Sequence, residues 1–150
     1  LYGLVVVILV ALALTQAGRL SSLFNFDLKR PSSAVTINEQ TYKVTVVDTD
    51  ATRQQGLSGK KSLKENQGML FFFQEKGKHS FWMKDMKFPI DIIFINDDTI
   101  TDITKNAQPD DSPNRPRYAP SVDINYVLEV NAGEADKKNI KVGDNVTIQK

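Results

Sequence analysis

The chain of 150 residues is 41% hydrophobic and 25% charged, a composition that suits one globular domain and excludes disorder throughout. Lys and Arg number 19 against 18 Asp and Glu, and Arg19 is the only charge before Asp27. The remainder is therefore balanced, without the basic excess that holds a phosphate backbone, which argues against a nucleic-acid partner. No cysteine is present, so there is neither a disulfide framework nor a lipoprotein attachment site.

The segment LYGLVVVILVALAL, residues 1–14, is apolar throughout and carries no charge. It falls short of the roughly 20 residues of a membrane span and has the length of a signal-peptide core. Small-residue cleavage patterns lie within its end, at Ala11-Leu12-Ala13, and just after it, at Thr15-Gln16-Ala17. The expectation is a signal peptide or membrane anchor at 1–17, a linker at 18–33 ending in Arg30-Pro31-Ser32-Ser33, and one domain at 34–150. Either reading of the first segment sites that domain outside the cytoplasm, in a periplasm or at a cell surface. If uncleaved, the segment also makes the membrane a partner.

AVTINEQTYKVTVVD reads as a hairpin, with a turn at Asn38-Glu39-Gln40 and the alternation of a half-buried strand at Tyr42, Val44 and Val46. Asp48, Thr49 or Asp50 can cap a short helix that ends at Gly56 or Gly59. GMLFFF, residues 68–73, is a buried strand, QEKGK a turn, and SFWMK a further strand. DIIFIN follows as a strand, turned by Asp97-Asp98 into TITDITK. Residues 106–121 form a loop with four prolines. YVLEV is a strand, GEADKKN a short helical turn, and KVGDNVTIQK a turn and a last strand. The whole describes a mostly β domain with two short helices, a compact barrel or sandwich, preceded by the hydrophobic segment. No strand is followed by the long amphipathic helix of a layered α/β fold.

Several of these stretches are similar to a known family. GMLFFF, FWMKDMKFPIDIIFI, YVLEVNAG, IKVGD and the helical RQQGLSG resemble the prokaryotic family called domain of unknown function 192, over about residues 35–149. The resemblance implies a small, often exported β-rich domain with no established activity. Its pattern falls on Arg53, Gly56, Leu57, Gly68, Met69, Phe71, Phe81, Trp82, Met83, Lys84, Pro89, Asp91, Glu129 and Gly143. The chain departs from it at Ser58-Gly59, where methionine and then a basic residue are usual, and at Asp85, where asparagine is common.

The charges inside the apolar run 81–95 pose the functional question. Alternation puts Phe81 and Met83 on one face of SFWMK, and Trp82 and Lys84 on the other. Were 80–84 and 91–95 to pair as a wide hairpin, Lys84 and Asp91 would sit opposite each other as a bracing ion pair. Arg53, with its planar fork, suits Asp91 or Glu129. The functional reading of the same cluster, Arg53, Trp82, Lys84, Asp91 and Glu129, is a small pocket for a sugar-like or small polar ligand. Asp85 and Asp91 form a candidate pair for glycoside cleavage, but two aspartates around a proline are common by chance. His79 reads as an exposed turn residue, and no nucleophile elbow is present. Asp97-Asp98 and Asp110-Asp111 read as turn formers, and no pattern points to a metal or another cofactor. The sequon Asn145-Val146-Thr147 falls in an expected strand. The leading reading is a non-catalytic extracytoplasmic binding or interaction module. The alternatives are a hydrolase acting on envelope carbohydrate and a purely structural accessory domain.

Overall fold

The computed structural model describes residues 33–150. The expected signal peptide or anchor at 1–17 and all but the last residue of the linker at 18–33 lie outside the described residues.

Strands β1 (Ala34–Ile37) and β2 (Gln40–Val47) form the expected hairpin. Its turn residues Asn38 and Glu39 both take positive φ, 47° and 67°, which matches the twist of the flanking strands. Helix α1 (Asp50–Gln55) follows. Its cap is Thr49, whose Oγ1 accepts from the Thr52 amide at 3.2 Å while Thr52 Oγ1 accepts from the Thr49 amide at 3.1 Å. This reciprocal pair satisfies two amides that the first helical turn leaves open. Gly56, at φ 48°, ends the helix.

Strand β3 (Gln67–Gly77) runs parallel to β2, with α1 and the loop after it as the crossover. Strands β4 (Ile90–Asn96) and β5 (Thr99–Ala107) are joined by the Asp97-Asp98 turn. Strand β6 (Ile124–Asn131), helix α2 (Glu134–Lys137) and strand β7 (Val146–Gln149) complete the chain. The order across the sheet is β5-β4-β6-β3-β2-β1-β7. The sheet curls into a half-barrel, and its outer strands meet at one end. There the Ile100 amide donates to Asp144 O at 3.0 Å, the Gly143 amide to Ile100 O at 2.8 Å and the Val146 amide to Asp98 O at 2.7 Å.

The pleat divides the core in two. The inner face takes side chains from all seven strands, among them Ile37, Tyr42, Leu70, Ile93, Ile100, Leu128 and Val146. The outer face of β3, β4 and β6 presents Met69, Phe71, Ile92, Phe94 and Val127 to a second apolar layer closed by Leu57, Met83 and Met86. Both faces of β4 are thus buried, which is why IDIIFI reads as an unbroken apolar run.

SFWMK is not a strand. Residues 78–89 cross the outer face as a covering segment, and its ladder contact is one bridge, Phe81 with Tyr118. Phe81 still packs on the outer core and Met83 is buried within it, while Trp82 and Lys84 face outward. Alternate side chains are buried without sheet pairing, which imitates strand periodicity. The expected hairpin of 80–84 with 91–95 does not form, because β4 is already flanked by β5 and β6.

Candidate functional site

Pleat parity decides where the carboxylates go. Asp91 lies opposite Val130 on β6, and Ile92 lies opposite Glu129. Successive residues point to opposite faces, so Asp91 joins Ile93 on the inner face while Glu129 joins Val127 on the outer. The two acids sit on opposite sides of the sheet, and Arg53 cannot serve both.

Asp91 is fully buried. Its carboxylate accepts from the Asn106 amide at 2.8 Å and from the Ala135 amide at 2.9 Å. The side chain thereby ties β4 to β5 and to the first turn of α2. Nearby, the Tyr42 hydroxyl donates to Glu134 at 3.2 Å, and burial, then the Glu134 carboxylate, push the phenol above its ordinary range. Lys84 does not pair with Asp91. Its side chain is half exposed, and its nearest acid is its neighbour Asp85 at 3.7 Å. The bracing partner of Asp91 is backbone rather than a cation.

The groove lies on the outer face, between α1 and the covering segment, with a volume of about 220 Å³. Phe71 and Phe73 of β3, Phe81, Trp82 and Met86 of the covering segment, and Arg53 of α1 wall it. The rings brace one another: Phe81 meets Phe71 edge-on at 5.0 Å and Phe94 at 6.0 Å. His79 stacks on Phe73 at 3.7 Å, and the Arg53 guanidinium lies 5.1 Å from the same ring. Arg53 spends its donors locally, on Asp48 O at 2.6 Å, Phe72 O at 2.8 Å and the Asp50 carboxylate at 2.6 Å. It makes no pair with Glu129 or Asp91.

Glu129 is the acid of this groove. Its side chain lines the groove yet is only 5% exposed. Among the described residues no donor reaches its carboxyl, and burial alone pushes it up to about 8. Burial thus favours the protonated acid, which has a donor and an acceptor to offer.

Trp82, 38% exposed, stands at the rim. Beyond it lies a second, more polar hollow of about 290 Å³ that shares Gln54, Gln55, Ser58 and Trp82 and adds Lys84 and Asp85. The guanidinium of Arg117 lies over the indole at 4.5 Å and that of Arg115 at 6.0 Å. The loop that carries them is fastened to the covering segment. The Asp85 amide donates to the Asp111 carboxylate at 2.7 Å, and the Asp110 amide to Met83 O at 3.2 Å.

Of the residues singled out in the sequence, Arg53, Trp82 and Glu129 converge on the groove, Lys84 borders the adjoining hollow, and Asp91 is elsewhere. His79 and the phenylalanines of β3 also line the groove. The signal for His79 was its position between two aromatic stretches, masked by the glycine and lysines of an apparent turn. Among the described residues, no three His, Asp or Glu side chains are placed to hold a metal ion.

The class this defines is a small β half-barrel whose outer face carries an aromatic groove with a buried acid. The chain belongs to the DUF192 family, whose model, described as "Uncharacterized ACR", matches residues 33–148. A solved structure of a protein of unknown function from Novosphingobium aromaticivorans is similar, with 29% identity and a TM-score of 0.71, over 76% of this chain and 83% of that one. A second, from Sinorhizobium meliloti, is described as a "putative transcription regulator" and aligns with 30% identity and a TM-score of 0.71, over 77% of this chain and 92% of its own. A comparison with functionally curated proteins finds no match.

Proposed function

We propose that this domain is a non-catalytic binding module, sited outside the cytoplasm, whose groove takes one small sugar-like ring. The observation that carries the reading is the Glu129 carboxyl, buried in the groove among aromatic walls and free of any donor among the described residues. The carboxyl oxygens are not among the fully enclosed atoms left without a partner, so they are reached from the groove and bond to what enters it, water or ligand. A neutral carboxyl donates and accepts, which suits a hydroxyl-bearing ring. The indole of Trp82 at the rim offers such a ring flat apolar surface beside the guanidinium of Arg117. The volume, below the roughly 300–1,000 Å³ of drug-sized sites, favours a single ring over a chain.

Siting outside the cytoplasm rests on the uncharged apolar run at residues 1–14. Binding is favoured over glycoside cleavage because that chemistry takes two flanking acids, and Glu129 is the one carboxylate among the described residues that line the groove. A role in transcription, which the Sinorhizobium description names for that protein, gains no support from the balanced charge of this chain beyond Arg19.

Trp82 is the only tryptophan, so its fluorescence reports on the groove rim. Titration of the chain with glucose, galactose, N-acetylglucosamine and glucosamine is expected to give a saturable change with at least one sugar. Glu129→Ala should abolish that change. A flat response to all four, or saturation that Glu129→Ala leaves intact, would remove the reading.

A further inference from the structure

We infer that the groove selects a cationic ligand, a primary ammonium carried on a small ring, which seats against the carboxylate of Glu129. The inference rests on the binding reading above and assigns the charge of its ligand.

Three features point to a cation. The first is the missing partner. Glu129 is 5% exposed, and the cation that lines the same groove, Arg53, is committed to Asp50 and two backbone carbonyls. A buried carboxyl can ionise only when a cation pairs with it, and here the fold supplies no such mate among the described residues. The second is the wall. Phe71, Phe73, Phe81 and Trp82 line the same groove, and aromatic rings attract cations through the ring quadrupole, as Arg53 over Phe73 and Arg117 over Trp82 already illustrate. The third is the selectivity such a site produces. A hydroxyl can bond to the neutral acid, but an ammonium draws it to the carboxylate form and gains a charge-assisted bond where solvent contact is slight.

Binding then carries a proton balance. Burial favours the protonated form of the empty acid. The ligand arrives as an ammonium, the Glu129 proton leaves to the solvent, and an ammonium–carboxylate pair remains. The other titratable groups sit along the groove and its rim. Helix α1 brings Arg53, and the covering segment brings His79, with Lys84 and Asp85 in the adjoining hollow. The loop beyond brings Arg115 and Arg117 to Trp82, while β3 and β4 bring Met69, Phe71 and Ile92, which do not titrate.

The test pairs each amine with its neutral counterpart: glucosamine with glucose, and cyclohexylamine with cyclohexanol. Trp82 fluorescence gives affinity, and calorimetry near pH 6.5 in two buffers of different ionisation heat gives the protons released. Each amine that binds is expected to do so about tenfold or more tightly than its counterpart, with close to one proton released per ligand. Glu129→Gln, which keeps the shape of the neutral acid, should erase both the preference and the release. Equal affinity of glucose and glucosamine without proton release would overturn the cation and leave the sugar reading standing. Saturation by cyclohexylamine with no response to either sugar would do the reverse. Silence toward all four compounds would remove both.

Discussion

Asp91 and Glu129 differ by what fills their lone pairs. Asp91 has two amides, from Asn106 and Ala135, so its role is to hold β5 and α2 against β4. Asp91→Ala strands both amides, at about 1–3 kcal/mol for each unsatisfied buried group. A total loss of roughly 3–5 kcal/mol is expected in urea denaturation, and Asp91→Asn should lose less because its amide oxygen still serves one donor. An unchanged midpoint for Asp91→Ala would refute the brace. Sequence reasoning found that Asp91 must be satisfied but chose the wrong partner. The physical reason is parity: Lys84 faces outward from a covering loop while Asp91 faces the inside of the curl, a relation that follows from which strands flank β4. The sequence offers Glu129 both as a mate for Arg53 and as a member of the pocket cluster, without marking it as the acid of the groove. Its isolation became visible once the guanidinium was seen bonded to two carbonyls and Asp50.

At the scale of the element, the hairpin, the capped helix and the β4–β5 turn were legible because each carries local chemistry: turn residues tolerant of positive φ, a threonine cap, and strand alternation. The covering segment was not. Its Phe81 and Met83 alternate with Trp82 and Lys84 as in a strand, yet they pack on a sheet that is already full. Strand β3 shows how tightly that sheet is filled. A Cβ at Gly68 would stand 2.8 Å from the Glu129 carbonyl oxygen and 3.1 Å from Leu128 Cδ1. The obstacle is backbone, which cannot swing away, so either β3 or β6 must shift. Gly68→Ala should cost about 1–3 kcal/mol by thermal or denaturant unfolding, and wild-type stability would show that the two strands have slack. Because Glu129 is on the displaced strand, the same substitution should also disturb the groove.

For the molecule as a whole, the buried acid sets a pH dependence of stability. Glu129 ionises near its ordinary 4.5 in the unfolded chain and holds its proton up to about 8 in the folded one. Below the lower value both states are protonated. Between the two, the unfolded chain sheds a proton that the fold retains, so stability falls as pH rises, by roughly 3–5 kcal/mol across the interval. Glu129→Gln removes that slope. Its Tm should therefore exceed the parent's by more near pH 8 than near about pH 5, and parallel curves would contradict the burial of an unpaired acid. The overall class, mostly β with two short helices, was legible from strand spacing and from the absence of long amphipathic segments. The closure of the curl was not, because the contacts of Ile100 with Asp144 and Gly143 join residues more than forty positions apart and leave no local mark.

The earliest strand of the sheet is hydrogen-bonded to the latest, Val35 opposite Ile148 and Ile37 opposite Val146. A growing polypeptide therefore has no mate for that edge of β1 until residue 149 has left the ribosome. Closing that edge is thus a late step in folding, one that joins segments more than a hundred residues apart.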